Sequence, residues 1–147
     1  MNTQDVERME KAKEFASKAF LGVGSLMMTV MVWKGKDIGL VIVPELRDDD
    51  DKDAAESIIL EIIDCGADAV ALVDEIWLTK VHPNKERVRT EAVCVTFSCL
   101  RGEEAHVANI KRDGDELGLE DWEELDTVEG RFCNFWTKVQ AHHAGEN

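Results

Sequence analysis

Tyrosine is absent from the 147 residues, and proline occurs only at Pro44 and Pro83. So little proline leaves strand and helix interiors with their backbone donors intact. The four cysteines, Cys65, Cys94, Cys99 and Cys133, show no CxxC spacing, so no paired metal or redox motif is built from them. Cys94 and Cys99 are five apart in one strand and therefore point to opposite faces. The N-terminus is charged from Asp5 onward rather than shaped like a signal peptide, and free thiols in a reducing cytoplasm are expected. Basic residues are scarce, 17 against 31 acids, for a net charge of −14. That balance argues against binding a nucleic-acid backbone, which needs clustered Lys and Arg, and against anionic membrane surfaces. No run approaches the roughly 18 apolar residues of a membrane span.

What is present suits one globular domain over residues 1–147, with 142–147 as a frayed tail; hydrophobic content is an ordinary 44%. Its organising stretch is a long hairpin. A β-type run from Ala69 to Lys80 is answered by one from Arg87 to Arg101, with the polar turn His82-Pro83-Asn84-Lys85-Glu86 between them. Before it, Asp5 to Phe20 carries Val6, Met9, Ala12, Ala16, Ala19 and Phe20 as a helical stripe, with Thr3 as cap and Gly22 and Gly24 just past the end. Leu26–Trp33 and Gly39–Val43 form a hairpin that Pro44 closes. A helix over Asp53–Cys65 buries Ala55, Ile58, Ile59 and Ile62, is capped by Asp50, Asp51 or Asp53, and stops at Gly66. A strand over Glu104–Lys111 follows the hairpin. A short helix over Arg131–Val139 presents Phe132, Phe135, Trp136 and Val139. The order α-β-β-α-β-β-β-(α) lacks the alternation of a parallel sheet. It predicts an α+β fold: a mostly antiparallel sheet of about five strands with helices packed on one face.

The acidity is concentrated. Residues 48–64 carry −7 and residues 102–130 carry −9, whereas the strand from Arg87 to Arg101 is locally basic. The second block holds Leu119, Trp122 and Leu125 at helical spacing. A packed segment with a solvated acidic face accounts for it most simply; a docking strip for a basic partner, or a mimic of a nucleic-acid backbone, would use the same pattern.

Asp74, Glu75 and Trp77 interrupt an apolar strand. A carboxylate there needs a partner, because an unpaired buried charge costs several kcal/mol. Arg87, Arg89 or Arg101 on the next strand can supply it, giving a cross-strand ion pair at the sheet margin. The sharper alternative gathers Glu75, Trp77, Arg89 and Glu91 into one polar cluster able to bind a small polar ligand or do acid–base chemistry. The choice depends on hairpin register, and both strands are apolar on both faces near their middles, so alternation does not set it. His82, His106, His142 and His143 have neither HExxH nor paired Cys/His spacing, so no metal ligand set and no cofactor is expected. Cys94 and Cys99 read as small buried hydrophobes, and Gly22-x-Gly24 as a turn. No P-loop and no GxSxG occurs.

Glu75-Ile76-Trp77, Arg89-Thr90-Glu91-Ala92, Ile110-Lys111-Arg112-Asp113 and Gly130-Arg131-Phe132 together give the chain a pattern that resembles a set of small bacterial and phage proteins without assigned activity. The resemblance implies that Glu75, Trp77, Arg89 and Glu91 matter, and it implies no reaction. The expectation from sequence is a non-enzymatic, cytoplasmic interaction protein. It would self-associate, and also bind another protein, through its sheet or its acidic strips.

Overall fold

The computed structural model describes residues 1–126 and 132–145. Gly130 and Arg131 of the Gly-Arg-Phe pattern, the end of the acidic block at 127–129 and the last two tail residues lie outside the described residues. The elements run α1 (Thr3–Val23), β1 (Thr29–Lys34), β2 (Asp37–Ile42), α2 (Asp49–Asp64), β3 (Ala69–Val81), β4 (Arg87–Cys99), β5 (Gly102–Asp113), β6 (Glu116–Leu119), β7 (Glu123–Glu124) and α3 (Phe135–Gly145). The class is α+β with an antiparallel sheet, as expected. The sheet has seven strands rather than five, and both extra ones come from the acidic block.

Helix α1 is capped by Asn2, not by Thr3, which is its first residue. The Asn2 side chain accepts the Asp5 N–H at 2.9 Å and the Asp5 carboxylate accepts the Asn2 N–H at 3.1 Å, so two orphan donors are satisfied reciprocally. The helix ends where Gly24 turns left-handed at φ 87° and donates to the Phe20 carbonyl. Asp48, two residues before the first of the expected candidates, caps α2 by accepting the Asp51 N–H at 2.9 Å. Three further acids in the first turn of α2 suit its positive end. α3 begins later than expected and continues through His142 and His143 to Gly145, residues expected to fray.

The strand order is β2-β1-β3-β4-β5-β6, with β7 beside β6 on the outer edge of β5. Side chains alternate across the strands, and each face of the sheet has its own core. On one face α1 sets Met9, Ala12, Ala16 and Phe20 against Met31, Trp33, Ala71, Val73, Val95 and Phe97. On the other, α2 and α3 bury Ala55, Ile59, Ile63 and Phe135 against Val30, Val70 and Leu72. The helices therefore cover both faces, not one. The continuous apolar run at Ala69–Val73 requires that, because a strand buried on both sides loses its alternation. Beyond Val73 the helices end, and β3 alternates half-buried and exposed to its tip.

Candidate functional site

The register of the central hairpin decides whether the predicted cluster exists. The five-residue turn closes with the His82 N–H donating to the Glu86 carbonyl at 2.9 Å, and Lys85 takes the left-handed conformation at φ 67°. Val81 then faces Arg87, Thr79 faces Arg89, Trp77 faces Glu91 and Glu75 faces Val93. Directly opposed residues share a face, so Glu75, Trp77, Arg89 and Glu91 all lie on the α1 face, just past the end of α1.

They share a face without forming one polar network. The Glu75 carboxylate accepts the backbone N–H of Leu26 at 2.5 Å, pinning the connection between α1 and β1. The Arg89 guanidinium lies 4.9 Å above the Trp77 ring and pairs with neither glutamate. Glu91 is held instead by Arg112 of β5, Nε to Oε2, at 2.9 Å. Arg101 is engaged elsewhere, with Asp5. The result is an open shelf on which Trp77 is 58% exposed. Its pairings are those of a sheet margin. Glu75→Ala is expected to cost about 1 kcal/mol, the net worth of one hydrogen bond, whereas Glu75→Gln keeps the acceptor and most of the stability. Urea titration of both variants checks this.

The carboxylate with the perturbed environment is the neighbour, Asp74, on the opposite face. It is raised to about 7, first by burial and then by the adjacent Glu75 charge. It has no hydrogen-bond or ion-pair partner among the described residues. Across the strand pair it faces Cys94, whose thiol is pushed up to about 12 by burial and then by Asp74. Such a thiol stays protonated at neutral pH, which disqualifies Cys94 as a nucleophile. No disulfide joins the cysteines among the described residues, and Cys94 and Cys99 point to opposite faces.

The segment of Leu119, Trp122 and Leu125 is extended, not helical: β6 and β7 pair with β5 on either side of Glu120–Trp122. Leu119 and Trp122 pack on the α1-side core and Leu125 on the opposite side, against Ala92, Cys94 and Val107. The three apolar residues fasten the edge to the sheet, so they do not present one docking strip. The acidic side chains between them face solvent.

The apolar surface that sequence reasoning missed is β2. Ile38, Leu40 and Ile42 stand opposite Trp33, Met31 and Thr29 on the α1 face, yet they are 46%, 53% and 62% exposed, because α1 does not reach them. β2 has β1 on one side and, among the described residues, no strand on the other. The signal was in the sequence, since Ile38, Leu40 and Ile42 alternate with period two, but not which edge the strand would occupy. Behind β2, an apolar cavity of about 410 Å³ opens between Val41, Val43, Leu46, Ala55, Ile58 and Ile59, with Arg47 and Asp51 also in its lining.

Comparison with known proteins finds no matching family, no similar curated protein and no similar solved structure. The functional reading therefore rests on the geometry alone. No helix among the described residues is long and apolar enough to cross a membrane.

Proposed function

We propose that the chain is a non-enzymatic, cytoplasmic interaction module that self-associates through the free edge of β2. The observation that carries this reading is the exposed aliphatic row Ile38, Leu40, Ile42 on a strand whose outer edge has no partner among the described residues. Such an edge offers backbone donors and acceptors to a second strand, and proteins that avoid pairing blunt it with charge, proline or a bulge. Its only charge is Asp37 at the first position, and neither proline nor a bulge interrupts Ile38–Ile42.

A second copy is the occupant the strand fits. A two-fold axis perpendicular to the sheet at Leu40 sets Leu40 against its own copy and Ile38 against the partner's Ile42, so apolar side chains meet on one face. The opposite sheet edge consists of β6 and β7, only four and two residues long and rich in acids, so pairing closes as a dimer and does not propagate. Cys65, Cys94 and Cys99 as thiols suit a reducing compartment.

Size-exclusion chromatography with light scattering across micromolar concentrations is the test. The unsubstituted chain is expected to run as a dimer. Leu40→Lys places two ammonium groups against each other at the axis and is expected to weaken dimerisation by about 100-fold or more, with circular dichroism unchanged. A monomer at every concentration removes the proposal.

A further inference from the structure

We propose that Glu104, His106 and Glu124 form a binding site for a divalent transition-metal ion, with Zn²⁺ the best-suited cation. Glu104 and His106 are two apart on β5 and therefore project from the same face; Glu124 of β7 is the residue directly opposite His106. One ligand atom from each lies within 4.8 Å of the others, and His106 Nε2 is already 2.6 Å from Glu104 Oε1. In a tetrahedral shell with metal–ligand bonds near 2.0–2.2 Å, the donors stand about 3.4 Å apart. No separation exceeds that value by more than about 1.4 Å, so small side-chain rotations suffice to enclose an ion.

The charge around the three residues points the same way. Two carboxylates are brought together at the outer edge of an acidic protein, and neither is paired with a Lys or Arg among the described residues. The basic group facing them is His106 itself, whose neighbours across β4 and β5 are Val95 and, for Glu104, Phe97. Glu104 and His106 are half-buried and Glu124 is exposed, so the site is open to water on one side. An imidazole nitrogen with two carboxylates is a donor set for Zn²⁺ and its transition-metal neighbours. Ca²⁺ and Mg²⁺ prefer oxygen alone. Two carboxylates neutralise the ion, and a fourth position is left for water. Because β7 is held to the sheet over only two residues, an ion bridging Glu124 to β5 fastens this edge.

The test is calorimetric titration of chelator-treated protein with Zn²⁺ at pH 7, repeated with Mg²⁺ and Ca²⁺. One site is expected for Zn²⁺ and none for the other two. Glu124→Gln, a change at an exposed side chain, is expected to lower Zn²⁺ affinity about tenfold or more, and His106→Ala to lower it further. A His142→Ala/His143→Ala variant should bind as tightly as the unsubstituted chain. Hydrogen exchange at residues 123–125 should slow when Zn²⁺ is added. The proposal fails if no Zn²⁺ binds. It also fails if binding survives both Glu124→Gln and His106→Ala, or disappears with His142 and His143. It does not depend on the β2 dimer, because the triad lies at the opposite edge of the sheet and the Leu40→Lys variant should bind Zn²⁺ unchanged.

Discussion

Asp74→Asn will unfold in urea at a higher midpoint than the unsubstituted chain at pH 8, by about 2–3 kcal/mol, and the advantage will vanish near pH 4. In the folded chain burial raises Asp74 from 3.8 to about 7. Below pH 3.8 both the folded and unfolded states carry the group protonated, and it does not affect their balance. Between 3.8 and about 7 the folded state holds a proton that the unfolded state has released, so stability falls as pH rises. Above 7 the carboxylate is ionised in both states and the whole penalty is present. A displacement of this size corresponds to at most about 4 kcal/mol. Partial contact of the side chain with water reduces that to the figure given. Asparagine has the same shape and no charge to desolvate, although its amide finds no better partner than the carboxylate did. Urea titrations at pH 4, 6 and 8 give the comparison. A variant equal to or weaker than the unsubstituted chain at pH 8 would show that Asp74 is solvated or paired in solution.

Asp74 illustrates what was legible in the chain and what was not. Its strand was plain from Ala69 onward, and a carboxylate within it was plainly a problem. Only the register could say that Glu75, not Asp74, finds a donor. That donor is a backbone N–H, at Leu26, which no pattern of side chains announces. The register itself follows from a five-residue turn closed by His82 and Glu86, between strands whose buried halves are apolar on both sides. A one-residue slip would have looked equally plausible from composition, and it would have sent the four cluster residues to different faces.

The same double-sided burial misplaced the helices. α1 and α2 carry similar amphipathic stripes, and nothing in either stripe says which face of the sheet it will cover. The run Ala69–Val73, apolar without alternation, was the sign that both faces needed covering. β6 and β7 escaped notice because four and two residues are too few to show alternation. The three-residue spacing of Leu119, Trp122 and Leu125 imitates a helix. In the triad at the other edge, Glu104-x-His106 has the two-residue spacing that puts both on one face of a strand. Glu124 comes from eighteen residues later through strand pairing and has no local signature.

Arg101→Ala is expected to destabilise the chain by about 3 kcal/mol at pH 7 and to move acid unfolding to higher pH. Asp5 is fully buried at the start of α1. Arg101, in the turn between β4 and β5, grips both its oxygens, Nε to Oδ2 at 2.7 Å and the terminal nitrogen to Oδ1 at 2.6 Å. This bidentate contact ties residues 96 positions apart, and it joins the capping box to the sheet. The Arg101 hydrogen bonds hold the Asp5 carboxyl below its usual 3.8 against the opposing effect of burial. A carboxylate lowered in this way contributes stability above the unfolded value near 3.8, and the contribution is lost as pH falls through the lower folded value. Without Arg101, burial acts against little more than the Asn2 N–H, and Asp5 takes up a proton at higher pH. The two proteins should therefore differ most at neutral pH and converge in strong acid. Arg101 is itself 43% exposed on its side chain, so part of its cost is offset by water and the full penalty for an isolated buried charge is not reached. Arg101→Lys should recover less than half of the loss, because an ammonium cannot engage two carboxylate oxygens in one plane. Asp5→Asn/Arg101→Ala should cost less than the two single changes added together, since the double variant leaves no buried charge behind. Additive losses, or an Arg101→Ala effect within about 0.5 kcal/mol of zero, would mean that the pair is a surface contact, and that α1 is anchored by its Met9–Phe20 stripe alone.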